Sequence, residues 1–179
     1  MQKREMNVEK WDVFDGDGRP TGRTVIRGQS QLKTGEYHLV VHIWIVSSDG
    51  KVLIQRRSDN KKLMPGEWAA TGGAAVSGED SFSAARRELS EELGIYANNE
   101  SLKLVRRIKR RNSLLDVWFI KKDIDVRSLR LQKSEVAEAK WVTFDELYKM
   151  ISNNIFHNYG KEYFDCVLEK IAEYKGAYV

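Results

Sequence analysis

The apolar positions of this chain follow two periods. Residues 11–14 and 21–26 alternate apolar and polar around Asp15-Gly16-Asp17-Gly18, the signature of two short strands joined by a Gly/Asp turn, an N-terminal β-hairpin. Residues 38–48 form an apolar, largely β-branched run, Ser48-Asp49-Gly50 supplies turn residues, and residues 52–56 continue apolar. This predicts a second hairpin of mostly buried strands in the sheet core. Residues 64–68 read as a loop and residues 71–76 as a short strand whose Gly72 and Gly73 permit close approach to the backbone. After Asp80 the period changes: Phe82, Ala85, Leu89 and Leu93 recur at helical spacing until Gly94, predicting a helix over 81–93 capped by Asp80. Strands are expected at 102–108, 114–120 and 139–142, a short helix at 145–151, and an amphipathic helix at 159–174 that packs Phe164, Val167, Leu168 and Ile171. The elements interleave without regular βαβ alternation. The fold class is therefore α/β in the mixed, α+β sense, a mixed sheet flanked by helices rather than a doubly wound parallel sheet.

Composition narrows the class. With 179 residues, 41% of them hydrophobic, and only two prolines, the chain reads as one domain over 1–179 with no linker or repeat. The N-terminal stretch is charged, and the longest apolar run, residues 39–46, is interrupted by His42. Neither resembles a signal or membrane-spanning segment, so no membrane partner and a soluble, cytoplasmic protein are expected. Cys166 is the only cysteine and falls among apolar residues at helical spacing, reading as a buried structural thiol rather than a nucleophile. The net charge of +4 gathers at Arg106, Arg107, Lys109, Arg110 and Arg111, which suits a polyanion, RNA included, or a solvated strand face.

On the helix predicted over 81–93, Glu88, Glu91 and Glu92 stand at i, i+3 and i+4, within roughly a 100° arc at about 100° per residue. Like charges at this spacing repel, and Arg87, four residues before Glu91, is the only relief within the helix. A hard cation would remove the conflict. Oxygen-only ligation suits Mg²⁺ or Mn²⁺, which complete their shells with water and substrate phosphates. A solvated acidic helix face is the other reading of these residues alone.

The longer pattern decides between them. From Gly73, five residues lead to Glu79, seven more to Arg87-Glu88-Leu89, and Ser90-Glu91-Glu92-Leu93-Gly94-Ile95 completes the segment. This resembles the Nudix box, G-x5-E-x7-R-E-U-x-E-E-x-G-U with U aliphatic, at every fixed position. The resemblance implies a Nudix fold with the box as loop, helix, loop, and a metal-dependent hydrolase of diphosphate linkages. It gives Glu88, Glu91 and Glu92 as metal ligands, Glu88 also as a base, Gly73 as a carbonyl ligand, and Glu79 paired with Arg87 to brace the loop. Related enzymes often place another glutamate before a strand tryptophan. Glu135, six residues ahead of Trp141, takes that place, with Glu138 as its rival.

Outside the box, Trp11-Asp12, Gly22-Arg23, His38-Leu39, Gln55-Arg56-Arg57 and Pro65-Gly66-x-Trp68 resemble the Nudix subgroup similar to isopentenyl-diphosphate isomerase. That implies a rival reaction, isomerisation of a prenyl diphosphate, which needs a cysteine and a nearby histidine after the Pro-Gly-x-Trp motif. Gly73 and Ala75 stand about there instead. Of the isomerase's histidine ligands only His38 is retained, the other falling near Gln31, while Asp116 lies near an acidic ligand's place. The isomerase mechanism is therefore rejected. His38 and His42 share a strand face and read as buried, hydrogen-bonded residues rather than ligands. Trp68, Trp118, Tyr37 and Phe119 could stack a base or fill the core. Arg56 and Arg57 could grip phosphates or carry surface charge. Three functions follow: hydrolysis of a nucleoside di- or triphosphate or a related nucleoside diphosphate derivative, non-catalytic nucleotide or RNA binding, and prenyl-diphosphate chemistry. Dimers are common among similar enzymes, so a homodimer is also expected.

Overall fold

In the computed structural model, which describes residues 8–176, the chain opens with the expected hairpin, β1 (Lys10–Phe14) antiparallel to β2 (Pro20–Ile26). The charged segment 1–7, part of the stretch judged to lack a signal sequence, lies outside the described residues. A seven-stranded sheet follows: β3 (His38–Val46), β4 (Val52–Arg57), β5 (Trp68–Ala69), β6 (Thr71–Ala74), β7 (Leu102–Lys109), β8 (Ser113–Lys121) and β9 (Val136–Val142). Helix α1 (Ser81–Leu93) stands between β6 and β7, while α2 (Phe144–Ser152) and α3 (Lys161–Gly176) follow β9.

The sheet is mixed. β3 and β8 run parallel from His38↔Ser113 to Val46↔Lys121, and the remaining pairs are antiparallel. Their continuous apolar runs are explained by cover on both faces. Leu39, Val41, Ile43 and Ile45 pack against Ala84, Ala85, Leu89 and Leu93 of α1. Trp44 and Val46 point the other way, towards Leu147 of α2 and Tyr163, Phe164 and Val167 of α3. The sheet is thus sandwiched between helices, as the interleaved pattern predicts.

Local chemistry fixes the helix ends. The Asp80 side chain accepts from the Ser83 N–H at 2.7 Å, and Gly94 closes α1 in a left-handed conformation. Thr143 and Glu146 form a reciprocal capping box at the start of α2. Cys166 is buried and unpaired, as expected. No helix among the described residues is long and apolar enough to cross a membrane.

The expected second hairpin is only partly present. β3 and β4 pair just at Ile45↔Leu53 and Val46↔Val52. Beyond that point β4 leaves to pair with β9 and β5, and β6 takes its place beside β3, from Val40↔Ala74 to Ile43↔Thr71. Gly72 makes this exchange possible: a Cβ there would overlap the Val41 carbonyl. Other boundaries move as well. Trp68 belongs to a strand rather than a loop, β9 begins at Val136 rather than at 139, and α3 begins at Lys161, leaving Tyr159 in the preceding loop.

A polar knot ties β3 to α3. The Tyr163 hydroxyl, in a residue 1% exposed, accepts from Trp44 Nε1 at 2.8 Å and lies 3.0 Å from His42 Nδ1. Burial holds His42 neutral, lowering its pKa to about 3, so Nδ1 can accept the hydroxyl proton. Tyr163→Phe would strand both buried nitrogens. It should destabilise the fold by about 1–3 kcal/mol in denaturant unfolding, and an unchanged midpoint would contradict this role.

Candidate active site

Where β3 and β4 part, the structure opens a cleft of about 870 Å³. One wall comes from Gly72 and Gly73 of β6 and from Arg87, Glu88, Glu91 and Glu92 of α1. The α1 helix lays its apolar stripe on the sheet, so its acidic stripe lies along the edge of β6.

The three glutamates differ in burial. Glu91 is half-exposed, the Glu88 side chain is 12% exposed, and Glu92 is fully buried in the wall. Glu92 Oε2 accepts from Gln55 Nε2 at 2.9 Å and from the Gly72 N–H at 3.0 Å. Burial nonetheless dominates and, aided by repulsion from Glu88, raises its pKa to about 8. Burial likewise raises Glu88 to about 6, against the lowering influence of Arg87 and with help from Glu91 and Glu135.

Gly73 lies directly under Glu88, and a Cβ at that position would collide with the Glu88 carboxylate. Arg87 organises the rest. Its guanidinium holds Glu79 through two bonds at 2.8 and 3.1 Å, Glu88 at 2.9 Å, Glu91 at 3.0 Å and the Ala74 carbonyl at 3.0 Å. Glu79 in turn accepts from the Val76 N–H at 3.0 Å, so the Arg87–Glu79 pair fastens the loop before α1. One shared face does not produce one shared point, however. Arg87 takes Glu88 and Glu91 while Glu92 turns inward, and among the described residues no three acidic or histidine groups converge as a ready metal cluster.

Other sequence candidates separate. Glu135 lines the cleft, paired with Lys61 at 2.5 Å, whereas Glu138 does not line it and pairs with Arg56 at 3.6 Å. Arg57 reaches the cleft. Its neighbour Arg56 points to the opposite face of β4, as strand alternation requires, and binds Asp59 at 3.0 Å.

The structure does not bring Trp68, His38 or Asp116 to the cleft. Lys140 lies over Trp68 at 4.2 Å. His38 stacks on Trp11 at 4.1 Å, and burial lowers its pKa to about 4. Asp116, fully buried, is gripped bidentately by Arg107 at 2.6 and 2.7 Å. Trp118 and Phe119 are core residues, and Tyr37 lies under Lys109. Arg110, one of the basic cluster read as suiting a polyanion, lines the cleft, whereas Gln55, His157 and Tyr159 were missed as site residues. Gln55 follows the apolar run of β4 directly and leaves no clear signal. His157 and Tyr159 come from a loop that folding brings to the cleft.

The sequence model of the NUDIX domain matches residues 36–161. The chain belongs to the Nudix family. It is 39% identical over 153 residues to an uncharacterised Nudix hydrolase of Listeria monocytogenes, covering 85% of this chain and 90% of that one. It is 31% identical over 161 residues to Nudix hydrolase 3 of Arabidopsis thaliana, covering 82% of this chain but 21% of that longer one. A crystal structure of DR0079 from Deinococcus radiodurans shares the fold, with a TM-score of 0.70 and 24% identity over 81% of this chain and 90% of that one. The chain is thus a hydrolase on a Nudix fold, and Nudix hydrolases generally use divalent metal ions.

The donors fit a hard divalent cation in chemistry. They are all oxygens, two are carboxylates whose charged forms burial penalises, and the buried Gln55 Oε1 beside Glu92 has no hydrogen-bond partner. A stability consequence follows for the metal-free protein. In the unfolded chain Glu92 ionises near the ordinary 4.5, but in the fold near 8. The folded protein therefore binds more protons in that window, and stability falls as pH rises from about 4.5 to about 8. Glu92→Gln removes this slope. In the presence of chelator it should unfold several degrees above the parent protein at pH 8.5 and about equally at pH 4. A variant less stable than the parent at pH 8.5 would refute this reading.

Proposed function

We propose that the cleft hydrolyses a diphosphate linkage in a nucleoside di- or triphosphate or a related nucleoside diphosphate derivative, with Mg²⁺ or Mn²⁺ held by Glu88, Glu91, Glu92 and the Gly73 carbonyl. The carrying observation is the pair of buried carboxylates, Glu88 and Glu92, facing an open cleft beside Gly72 and Gly73 with too little positive charge to offset their burial. When bound, such cations lower the pKa of water and neutralise charge on phosphate oxygens.

The chain's own residues do the rest. Glu88, raised to about 6 by burial, is ionised enough near neutral pH to accept a proton from an attacking water, and basic enough to hold it. Glu135 influences Glu88 electrostatically and lines the cleft, paired with Lys61, which makes it the second candidate base. Arg87 positions Glu88 and Glu91 and fastens their loop through Glu79.

A small substrate is favoured over RNA because the basic cluster disperses on folding. Arg106 turns to Glu162 of α3, Arg107 to Asp116 and Lys109 to Tyr37, so of these only Arg110 enters the cleft. Prenyl-diphosphate isomerisation is disfavoured because the only cysteine, Cys166, sits on α3 and does not line the cleft.

The test is release of phosphate or pyrophosphate with millimolar Mg²⁺ or Mn²⁺, across nucleoside di- and triphosphates, nucleotide sugars, dinucleotides and isopentenyl diphosphate. Turnover of a nucleotide class is expected. Glu88→Gln and Glu92→Gln should each lower kcat by about 10²- to 10⁴-fold. Near-parental turnover in both variants would overturn the assignment.

A further inference from the structure

The cations of the cleft are not equivalent. Lys61 is paired with Glu135 at 2.5 Å, Arg27 with Glu9 at 2.7 Å, and Arg87 with three glutamates. Arg57 and Arg110 also line the cleft, yet neither has a carboxylate within ion-pair distance among the described residues. Each bonds a backbone carbonyl instead: Arg57 Nε donates to Leu63 O at 3.2 Å, and Arg110 donates to Tyr159 O at 3.5 Å. A guanidinium carries five N–H donors, so both keep several for a ligand.

Arg110 and His157 meet around one aromatic ring, that of Tyr159. The Arg110 Cζ stands 5.7 Å from the centroid of Tyr159, and the His157 ring lies 4.8 Å from the same centroid. The charges of Arg57 and Arg110 are both felt at Tyr159 and at His42. His157 is fixed in place, its backbone N–H donating to Trp68 O at 2.8 Å and its Nδ1 lying 2.6 Å from Glu67 Oε2. The Glu67 carbonyl accepts from the Arg57 N–H at 2.9 Å, so one residue positions both Arg57 and His157. The charge of Arg57 also reaches Glu92, which puts this end of the cleft beside the carboxylate end.

We propose that Arg57 and Arg110, beside His157, form an anion subsite that binds a terminal phosphoryl group of the substrate directly, without a metal ion. The subsite rests on the reading of the cleft as a diphosphate site, and it narrows the substrate class. A terminal phosphoryl group presents three free oxygens and close to two negative charges, which two guanidiniums match. A phosphate esterified on both sides offers fewer oxygens and one charge. Nucleoside di- and triphosphates are therefore favoured over nucleotide sugars and dinucleotides. Arg57 and Arg110 act by binding, and Glu67 is a positioning residue for His157.

Calorimetric titration of the full chain with inorganic pyrophosphate, in chelator, tests the subsite apart from turnover. The parent protein should bind, and Arg57→Gln and Arg110→Gln should each weaken binding about ten- to hundredfold. Arg110→Lys, which keeps the charge over Tyr159, should recover part of the loss. Absence of binding by the parent, or equal binding by the parent and both Gln variants, would overturn the proposal. In steady state, Arg110→Gln should raise KM for a nucleoside triphosphate far more than it lowers kcat, and should erase the preference over a nucleotide sugar. A loss confined to kcat would also overturn it. If no nucleotide is turned over with any metal, the hydrolase reading fails while the pyrophosphate titration still decides the subsite.

Discussion

Burying two carboxylates side by side on one helix is the constraint around which this structure is arranged. Glu88 and Glu92 lie one helical turn apart, both largely withdrawn from water and both pushed towards the neutral form by that withdrawal. Left alone, such a pair would favour exposure. It is retained by Arg87 on one side, by Gln55 and the Gly72 amide on the other, and by a β6 backbone that carries no side chain at Gly73. Each of these groups restrains the carboxylates without fully satisfying them. That residual deficit is a stability cost, one that the proposed cation would relieve.

The sheet topology turns this strained helix face into a cleft. Had β3 and β4 stayed paired as a long hairpin, α1 would cover a closed sheet and its glutamates would face bulk solvent. Because β4 departs after two pairs and β6 slips in beside β3, the glycine edge of β6 and the acidic edge of α1 share one opening. The N-terminal hairpin steadies that edge. Asp12 accepts from the Ser77 hydroxyl at 2.6 Å and from the Gly78 N–H at 2.8 Å, and Trp11 stacks on His38. Trp11, Asp12 and His38 thus hold the hairpin against the sheet at the cleft's edge.

Charge is divided along the cleft. The acidic end is fixed by a guanidinium already saturated with carboxylates, while beside it stand guanidiniums anchored, among the described residues, by carbonyls and aromatic rings. On the proposed reading, a polyphosphate chain would meet cations at the carboxylates and the arginines beside them. Loops supply this second wall. The segment between α2 and α3 contributes His157 and Tyr159, and the β7–β8 turn contributes Arg110, so this wall can vary without disturbing the acidic face of α1.

Much of this was written locally in the chain. The helix over 81–93 is bounded as its Asp80 cap, its apolar spacing and Gly94 dictate, and the box residues Gly73, Glu79, Arg87, Glu88, Glu91 and Glu92 carry the family on their own spacing. The central strands were legible because runs buried on both faces are apolar throughout. What spacing could not reveal was depth: three glutamates on one arc are alike in sequence, yet one is buried, one nearly so and one half-exposed, because only the packed sheet sets how far each stands from water. Nor could adjacency in sequence separate Arg57, which enters the cleft, from Arg56, which alternation turns away. The sequence by itself determined the helix, its acidic face and the family. The tertiary structure alone decided where the strands part and which distant loop residues close the cleft, since pairing partners and burial are properties of contacts between segments far apart along the chain.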